Sequence, residues 1–252
     1  RRSPLAQAQT QLVAEAIREA WPEMIVETVT FETTGDLAQG DLAKVGGKGL
    51  FTLELERALL SGEVDAAVHS AKDLPADIDD AFVLQAAMTR GDVRDTLVTS
   101  HRDGWQGLPQ GATVGTASLR RKVQFEALRP DLTIIPIRGN VQTRLARAVG
   151  GDLDAVVLAQ AGLVRSGLAD THAGSLFPFA PEDMLPASGQ GILAIETRVD
   201  DIDTGRVLER INDPKTFSAL LAERSVVSAV DADCHSCLAV YAARESGQWR
   251  VR

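Results

Sequence analysis

Residues 112–121, Ala112-Thr113-Val114-Gly115-Thr116-Ala117-Ser118-Leu119-Arg120-Arg121, read as a strand, a glycine turn and the start of a helix. Ala112 to Val114 is short, apolar and β-branched, Gly115 marks the turn, and Ser118 is a capping hydroxyl before a helix that the spacing predicts to Leu128. Downstream the pattern repeats: strand Leu132 to Ile137, helix Val141 to Ala148, strand Ala155 to Leu158. Strands alternating with helices predict an α/β fold with a mostly parallel sheet, whose ligand sites lie beyond the carboxyl ends of the strands.

The same logic extends upstream. Ser3-Pro4 starts a helix whose Leu5, Leu12, Val13, Ala16, Ile17 and Ala20 recur on one face up to Trp21-Pro22. A β-rich run, Ile25 to Phe31, follows. A helix from Leu53 to Leu60 closes at Gly62, and Asp65 to His69 reads as a buried strand. Glycine- and proline-rich loops at Gly104 to Gly111 and Leu185 to Gly191 have the character of two crossings between neighbouring domains. Asp213-Pro214 opens a last helix, and Leu238 to Ala243 with Gln248 to Val251 predict a hairpin around Gly247 in a third, α+β unit. The expected division is residues 1–93 with 192–210, residues 94–191, and residues 214–252. The C-terminal unit is expected to be incomplete, with the natural chain continuing past Arg1 and Arg252.

The chain has 252 residues, 44% of them hydrophobic and 24% charged, which is enough to build more than one core. No stretch approaches the roughly 20 apolar residues of a membrane span, and no secretory leader opens the sequence. A cytoplasmic protein is expected. The formal net charge of −9 excludes a surface built wholly for nucleic acid or anionic lipid, so any anion site must be local.

Arg120 and Arg121 open one helix, Arg138 closes a strand before Gly139-Asn140, and Arg144 lies a turn further on. Helix N-termini favour anions, and guanidinium adds a bidentate fork for carboxylate or phosphate, with Thr116 and Ser118 as hydroxyl donors. Singly, such arginines are more often solvated or paired with Asp and Glu; as a set they read as an anion site. The loop Ala43 to Phe51 is rich in glycine and lysine but lacks the spacing of a nucleotide P-loop; it reads as a basic loop over a cleft, or as a plain connector. Lys72 and Asp73 end a strand before Pro75, where a carboxylate orients a substrate N–H or stabilises a developing cation, or merely caps the turn. Cys234 and Cys237 have C-x-x-C spacing but no second ligand pair, and they follow a helix instead of opening one. That disfavours zinc and thioredoxin-like chemistry and leaves a nucleophilic thiol or a small buried cysteine. No metal site is expected.

These segments together resemble the porphobilinogen deaminase (hydroxymethylbilane synthase) family. The resemblance runs through Arg1-Arg2-Ser3-Pro4-Leu5-Ala6, Lys44 to Phe51, Val68 to Pro75, Gly115 to Arg121, Arg138 to Val141, Thr143-Arg144-Leu145 and Ser188-Gly189-Gln190-Gly191. It implies a cytoplasmic monomeric transferase that joins four porphobilinogen molecules head to tail with loss of ammonia, on a dipyrromethane cofactor held by a cysteine thioether. By position that cysteine is Cys234. It implies two hinged domains like type II periplasmic binding proteins and a smaller α+β C-terminal domain with the cofactor loop. Asp73 matches the catalytic aspartate, accepting the pyrrole N–H and stabilising the azafulvenium left by ammonia. Ser3, Lys72, Asp73, Thr116, Ser118, Arg120, Arg121 and Gln190 are implied in cofactor binding. Arg1, Arg138, Arg144, Arg165 and Gln190 are implied in substrate binding, and Lys44, Lys48 and Phe51 in the loop over the cleft. Six rings bearing two carboxylates each bring about twelve negative charges into a low-dielectric site, which accounts for local arginines in an acidic protein. No nucleic acid or membrane partner is implied.

Three positions depart from the family pattern: Ala232-Asp233 precedes Cys234 in place of Gly-Gly, Thr34 stands where an arginine is usual, and the C-terminal domain ends early. The competing readings are a solute-binding or effector-sensing module for a polycarboxylate, which needs neither Cys234 nor Asp73, and a zinc or redox protein using Cys234 and Cys237.

Overall fold

A computed structural model of the chain describes residues 1–32, 52–232 and 236–252. The Lys44–Phe51 loop and Cys234 lie outside the described residues. The chain forms two compact units: Arg1–Arg90 with Ile192–Cys234 and Ala242–Val251, and Gly91–Gly191 with His235–Tyr241 and Arg252.

In the first unit, helix α1 (Pro4–Ala20) begins as its sequence dictates, with the Ser3 hydroxyl accepting from the Ala6 N–H at 3.3 Å. Val13 and Ile17 are its buried stripe, each contributing about 1.5–3 kcal/mol by leaving water. Helix α2 (Leu53–Ser61) stops at Gly62, whose φ of +70° suits a residue without a side chain. Strand β1 (Ala67–Ser70) runs into a single 3₁₀ turn, Ala71–Asp73, and strand β2 (Phe82–Ala87) follows.

The expected strand at Ile25–Phe31 is not realised. The segment belongs to no ladder among the described residues, and Ile25 is 88% exposed. Alternating apolar residues make a strand only when a neighbour takes their N–H and C=O groups.

In the second unit, strands β3 (Asp95–Thr99), β4 (Thr113–Gly115), β5 (Thr133–Ile135), β6 (Ala155–Ala159) and β7 (Leu176–Pro178) form a sheet in the order β5-β4-β6-β3-β7. Helices α3 (Leu119–Leu128), α4 (Val141–Val149), α5 (Gln160–Arg165) and α6 (Leu168–Thr171) connect them. Both faces are covered: Leu97, Val114 and Val157 pack with Phe125 of α3, while Val98, Val156 and Leu158 pack with Leu145 of α4 and Leu163 of α5. The Gly104–Gly111 loop lies within this unit, between β3 and β4, and is not a crossing.

The chain then returns to the first unit as strand β8 (Leu193–Arg198), which lies between β1 and β2 and is antiparallel to both. Helix α7 (Ile202–Glu209) and helix α8 (Pro214–Ala229) follow, α8 capped by Asp213, and strands β9 (Ala242–Glu245) and β10 (Gln248–Val251) pair as a hairpin. Ala194 and Leu220 of α8 share one core of this unit, Leu193, Ile195, Val13 and Leu208 a second, and Leu55, Leu59, Ala67 and Phe82 a third.

The expectation of a mostly parallel sheet holds only for β5, β4 and β6. Strand β3, which follows the first passage between units, is antiparallel to β6, and β8, which follows the second, is antiparallel throughout. Each enters its sheet from the end at which the other strands finish. Periodicity carries no information about that direction.

At the return passage Gly191 has φ +84°, and a Cβ there would lie 2.7 Å from the Gly91 carbonyl oxygen. The Gly91 N–H donates to the Gly191 carbonyl at 3.0 Å. Gly191→Ala therefore combines backbone strain with a steric clash, and a loss of about 1–3 kcal/mol is expected in urea unfolding; a variant as stable as the parent contradicts this.

Candidate functional site

The carboxyl ends of three parallel strands carry the arginines. Gly115 of β4 pairs with Ile135 of β5 and with Val156 of β6, so the three strands finish side by side. Beyond β4 come Thr116, Ser118, Arg120 and Arg121; beyond β5 come Arg138, Asn140 and Arg144; beyond β6, at the end of α5, comes Arg165. The antiparallel strand β3 starts at this same end, because Asp95 pairs with Ala159.

Asp95 is the residue that sequence reasoning missed. It is fully buried and holds both arginines of the deciding motif. Its Oδ1 accepts from Arg121 Nη2 at 2.7 Å and Nε at 3.1 Å, and its Oδ2 lies 2.8 Å from Arg120 Nη2. Arg121 also donates to the Val157 carbonyl at 3.0 Å, and Arg120 to the Leu185 carbonyl at 2.5 Å. Arg120 and Arg121 are only 5% and 6% exposed. Burial alone would raise the Asp95 carboxyl, but the charges of Arg121 and Arg120 outweigh it and hold the group well below the ordinary carboxylate range. Burial lowers Arg120, and the Asp95 charge opposes this.

Gln190 belongs to the same cluster. Its Nε2 donates to Asp95 Oδ1 at 2.9 Å and to the Val93 carbonyl at 2.7 Å, and the residue is 1% exposed. Within the protein it acts as a support for Asp95.

Two guanidinium groups against one carboxylate leave an excess of one buried positive charge. Arg165 adds a half-buried cation: its guanidinium donates to the Gly191 carbonyl at 2.6 Å, burial lowers its pKa, and no carboxylate pairs with it among the described residues. A buried cation of this kind is costly until an anion arrives. The hydroxyls fit the same demand. Thr116 Oγ1 accepts from the Ser118 N–H at 3.2 Å, and Ser118 Oγ accepts from the Arg121 N–H at 3.4 Å as cap of α3. Each is used as an acceptor, and neither hydroxyl donates to a protein group among the described residues. The donor set suits a polycarboxylate.

At the neighbouring junction Asn140 caps α4, accepting from the Thr143 N–H at 2.8 Å. Arg144 Nε donates to the Gly139 carbonyl at 2.8 Å, and Arg138 is exposed.

In the first unit, the 3₁₀ turn after β1 presents Lys72 and Asp73. The turn is fastened by Ala71 N–H donating to the Ile192 carbonyl at 3.0 Å and Leu74 N–H to the Ala71 carbonyl at 3.2 Å. Asp73 is exposed, and no described residue donates to its carboxylate; the capping role is therefore not observed. Ser3 repeats the pattern of Thr116 and Ser118, since its oxygen accepts from α1 and its hydroxyl donates to no described group. Arg1 precedes it, partly buried. Cys237 is exposed and free. Among the described residues no group of His, Cys, Asp and Glu is placed to hold a metal ion, and no helix is long and apolar enough to cross a membrane.

Fold and donor set define a type II binding-protein-like α/β protein whose second unit gathers arginines and hydroxyl donors at one end of its sheet. The fold is shared with a periplasmic substrate-binding protein of an ABC transporter from Coxiella burnetii (TM-score 0.50, 17% identity, covering 86% of this chain and 92% of that one). The family model described as "Porphobilinogen deaminase, dipyromethane cofactor binding domain" matches residues 1–206. Proteins named porphobilinogen deaminase from Xylella fastidiosa strain M23 (42% identity over 253 residues, 100% of this chain and 82% of the relative) and Xanthomonas axonopodis pv. citri strain 306 (47% over 249 residues, 98% and 81%) are similar along nearly the whole chain. The chain belongs to the porphobilinogen deaminase family.

Asp95→Asn strands two buried guanidinium groups without an anion, and a loss of about 3–5 kcal/mol is expected at neutral pH. Because the folded-state pKa of Asp95 is depressed, its contribution is complete above the unfolded value of about 4 and is lost as pH falls towards the folded value. Urea unfolding as a function of pH should show the deficit of Asp95→Asn constant above about pH 5 and narrowing below about pH 4; a deficit independent of pH refutes this account.

Proposed function

We propose that the chain condenses four porphobilinogen molecules head to tail, with release of ammonia, to give hydroxymethylbilane in tetrapyrrole biosynthesis. It is a transferase that works from a dipyrromethane primer. The observation that carries this reading is the match of the family model, named for that cofactor, across residues 1–206, a span that includes Asp73 and every arginine of the donor set. The alternative of a non-catalytic solute-binding module shares the fold but is not favoured by the named relatives.

The roles of individual residues follow from chemistry. The cofactor, when bound, supplies a nucleophilic pyrrole carbon; Cys234 is its attachment point. Thr116, Ser118, Ser3, Lys72, Arg120, Arg121 and Gln190 serve its carboxylates directly or by support, the buried excess charge of the Arg120–Arg121–Asp95 cluster being the attraction. Arg1, Arg138, Arg144, Arg165 and Gln190 take the carboxylates of the incoming substrate. Lys44, Lys48 and Phe51, outside the described residues, are assigned in this reading to a loop over the site. Among the described residues none donates to Asp73, so its carboxylate is available to accept the pyrrole N–H and to stabilise the positive charge that develops as ammonia departs. The domain division at 93/94 and 191/192, with the cofactor-bearing part beginning at residue 214, belongs to the same reading, as do a cytoplasmic location, a monomeric state, and the lack of nucleic-acid or membrane partners.

Intact-mass measurement of the denatured protein is expected to show an excess of two pyrrole units, mapping to the peptide that contains Cys234, and a positive Ehrlich reaction. An unmodified, inactive native protein overturns the reading. Asp73→Asn should retain the mass excess while turnover drops by about 10²-fold or more; near-normal turnover removes Asp73 from the chemistry.

A further inference from the structure

His69 and Glu196 form a buried pair that the donor set does not use. His69 Nε2 lies 3.0 Å from Glu196 Oε2, with the two side chains 6% and 0% exposed. They sit on neighbouring antiparallel strands, where His69 is opposite Ala194 and Ala67 is opposite Glu196. Ala194 shares its core with Leu220 of α8, so the pair lies on the α8 face of the sheet. The other oxygen, Glu196 Oε1, is buried without a hydrogen-bond partner among the described residues.

The position of the pair gives it meaning. His69 is the penultimate residue of β1, and the 3₁₀ turn bearing Asp73 starts two residues later. From the far side the same segment is held by α8: Arg224 Nη2 donates to the Ala76 carbonyl at 2.7 Å, and Ser228 Oγ donates to Asp77 Oδ1 at 3.0 Å. Burial lowers the Arg224 guanidinium, against the attraction of Asp77 and Glu196. Glu196 thus pairs with the histidine that precedes the turn and attracts the arginine of α8 that holds the segment after it. A pair of leucines would fill this core at lower desolvation cost, so stability is a poor reason for a histidine and a glutamate here. A directional bond between them does what leucines cannot: it sets the lateral position and twist of the last residues of β1.

We propose that the His69–Glu196 pair is a positioning element for Asp73, fixing the end of β1 so that the turn presents the carboxylate in the orientation turnover requires. The proposal rests on the catalytic reading of Asp73. Neither His69 nor Glu196 touches substrate in this scheme. A displacement of the carboxylate by a fraction of an ångström weakens stabilisation of the transition state more than binding of the ground state, so the cost falls on kcat and not on KM.

Four cofactor-loaded variants decide it: His69→Leu, His69→Gln, the double variant His69→Leu/Glu196→Leu, and Asp73→Asn. Steady-state kinetics with porphobilinogen, intact mass and urea unfolding are measured on each. His69→Leu is expected to lose about 10- to 100-fold in kcat with KM within about twofold and the cofactor mass unchanged, while His69→Gln, which still donates to Glu196, recovers most of kcat. The double variant removes both polar groups, so it should regain the stability lost in His69→Leu yet keep the low kcat. Recovery of kcat along with stability in the double variant overturns the proposal, as does a wild-type kcat in His69→Leu or an equal loss in His69→Gln. If His69→Leu does not fold, the double variant alone decides between these outcomes. Asp73→Asn separates the two claims: full turnover there defeats the reading of Asp73 itself, whereas an inactive Asp73→Asn beside an active double variant defeats only the positioning role.

Discussion

One fully buried carboxylate, Asp95, organises the donor set of the second unit. It sits at the first residue of the strand that enters the sheet in reverse, and it holds Arg120, Arg121 and Gln190 within hydrogen-bonding distance. Two guanidinium groups cannot be buried beside each other without an anion, and one anion does not neutralise both. The cluster is therefore held rigid and left electrostatically hungry. Preorganised charge of this kind suits a polycarboxylate, because the cost of gathering the donors is met during folding and not at binding.

The hydroxyls obey the same economy. Ser3, Thr116 and Ser118 each accept from a backbone N–H at the start of a helix or turn, which fixes the oxygen and leaves its proton to be aimed elsewhere. Capping and ligand binding thus draw on different ends of one group. The first unit follows a contrasting plan: its turn exposes Asp73 with no donor among the described residues, while the polar pair His69 with Glu196 is sealed from solvent. The turn that carries Asp73 is fastened through the backbone at Ile192 and Ala76, contacts that use no part of the Asp73 side chain.

Much was legible in the sequence. Helix starts at Ser3-Pro4, Ser118, Asn140 and Asp213-Pro214 are local events between a side chain and the next N–H groups, and each forms where its cap stands. The arginine positions beyond β4 and β5 follow from the same local reading. Asp95 was invisible because its partners lie 25 and 26 residues away in the chain and nothing around it repeats with a period. The Ile25–Phe31 run shows the opposite failure, a convincing local pattern whose ladder depends on a neighbour.

By itself the sequence determined the alternation of strands and helices, the helix caps, the family to which the motifs belong and the residue types offered to an anion, since all of these are set by covalent neighbours within a few positions. Only the tertiary structure decided that β3 and β8 run against their neighbours, that Asp95 meets Arg120 and Arg121, and that Glu196 meets His69. Those outcomes depend on which strand end each returning segment enters, and that is fixed by packing across the sheet and not by any residue's immediate surroundings.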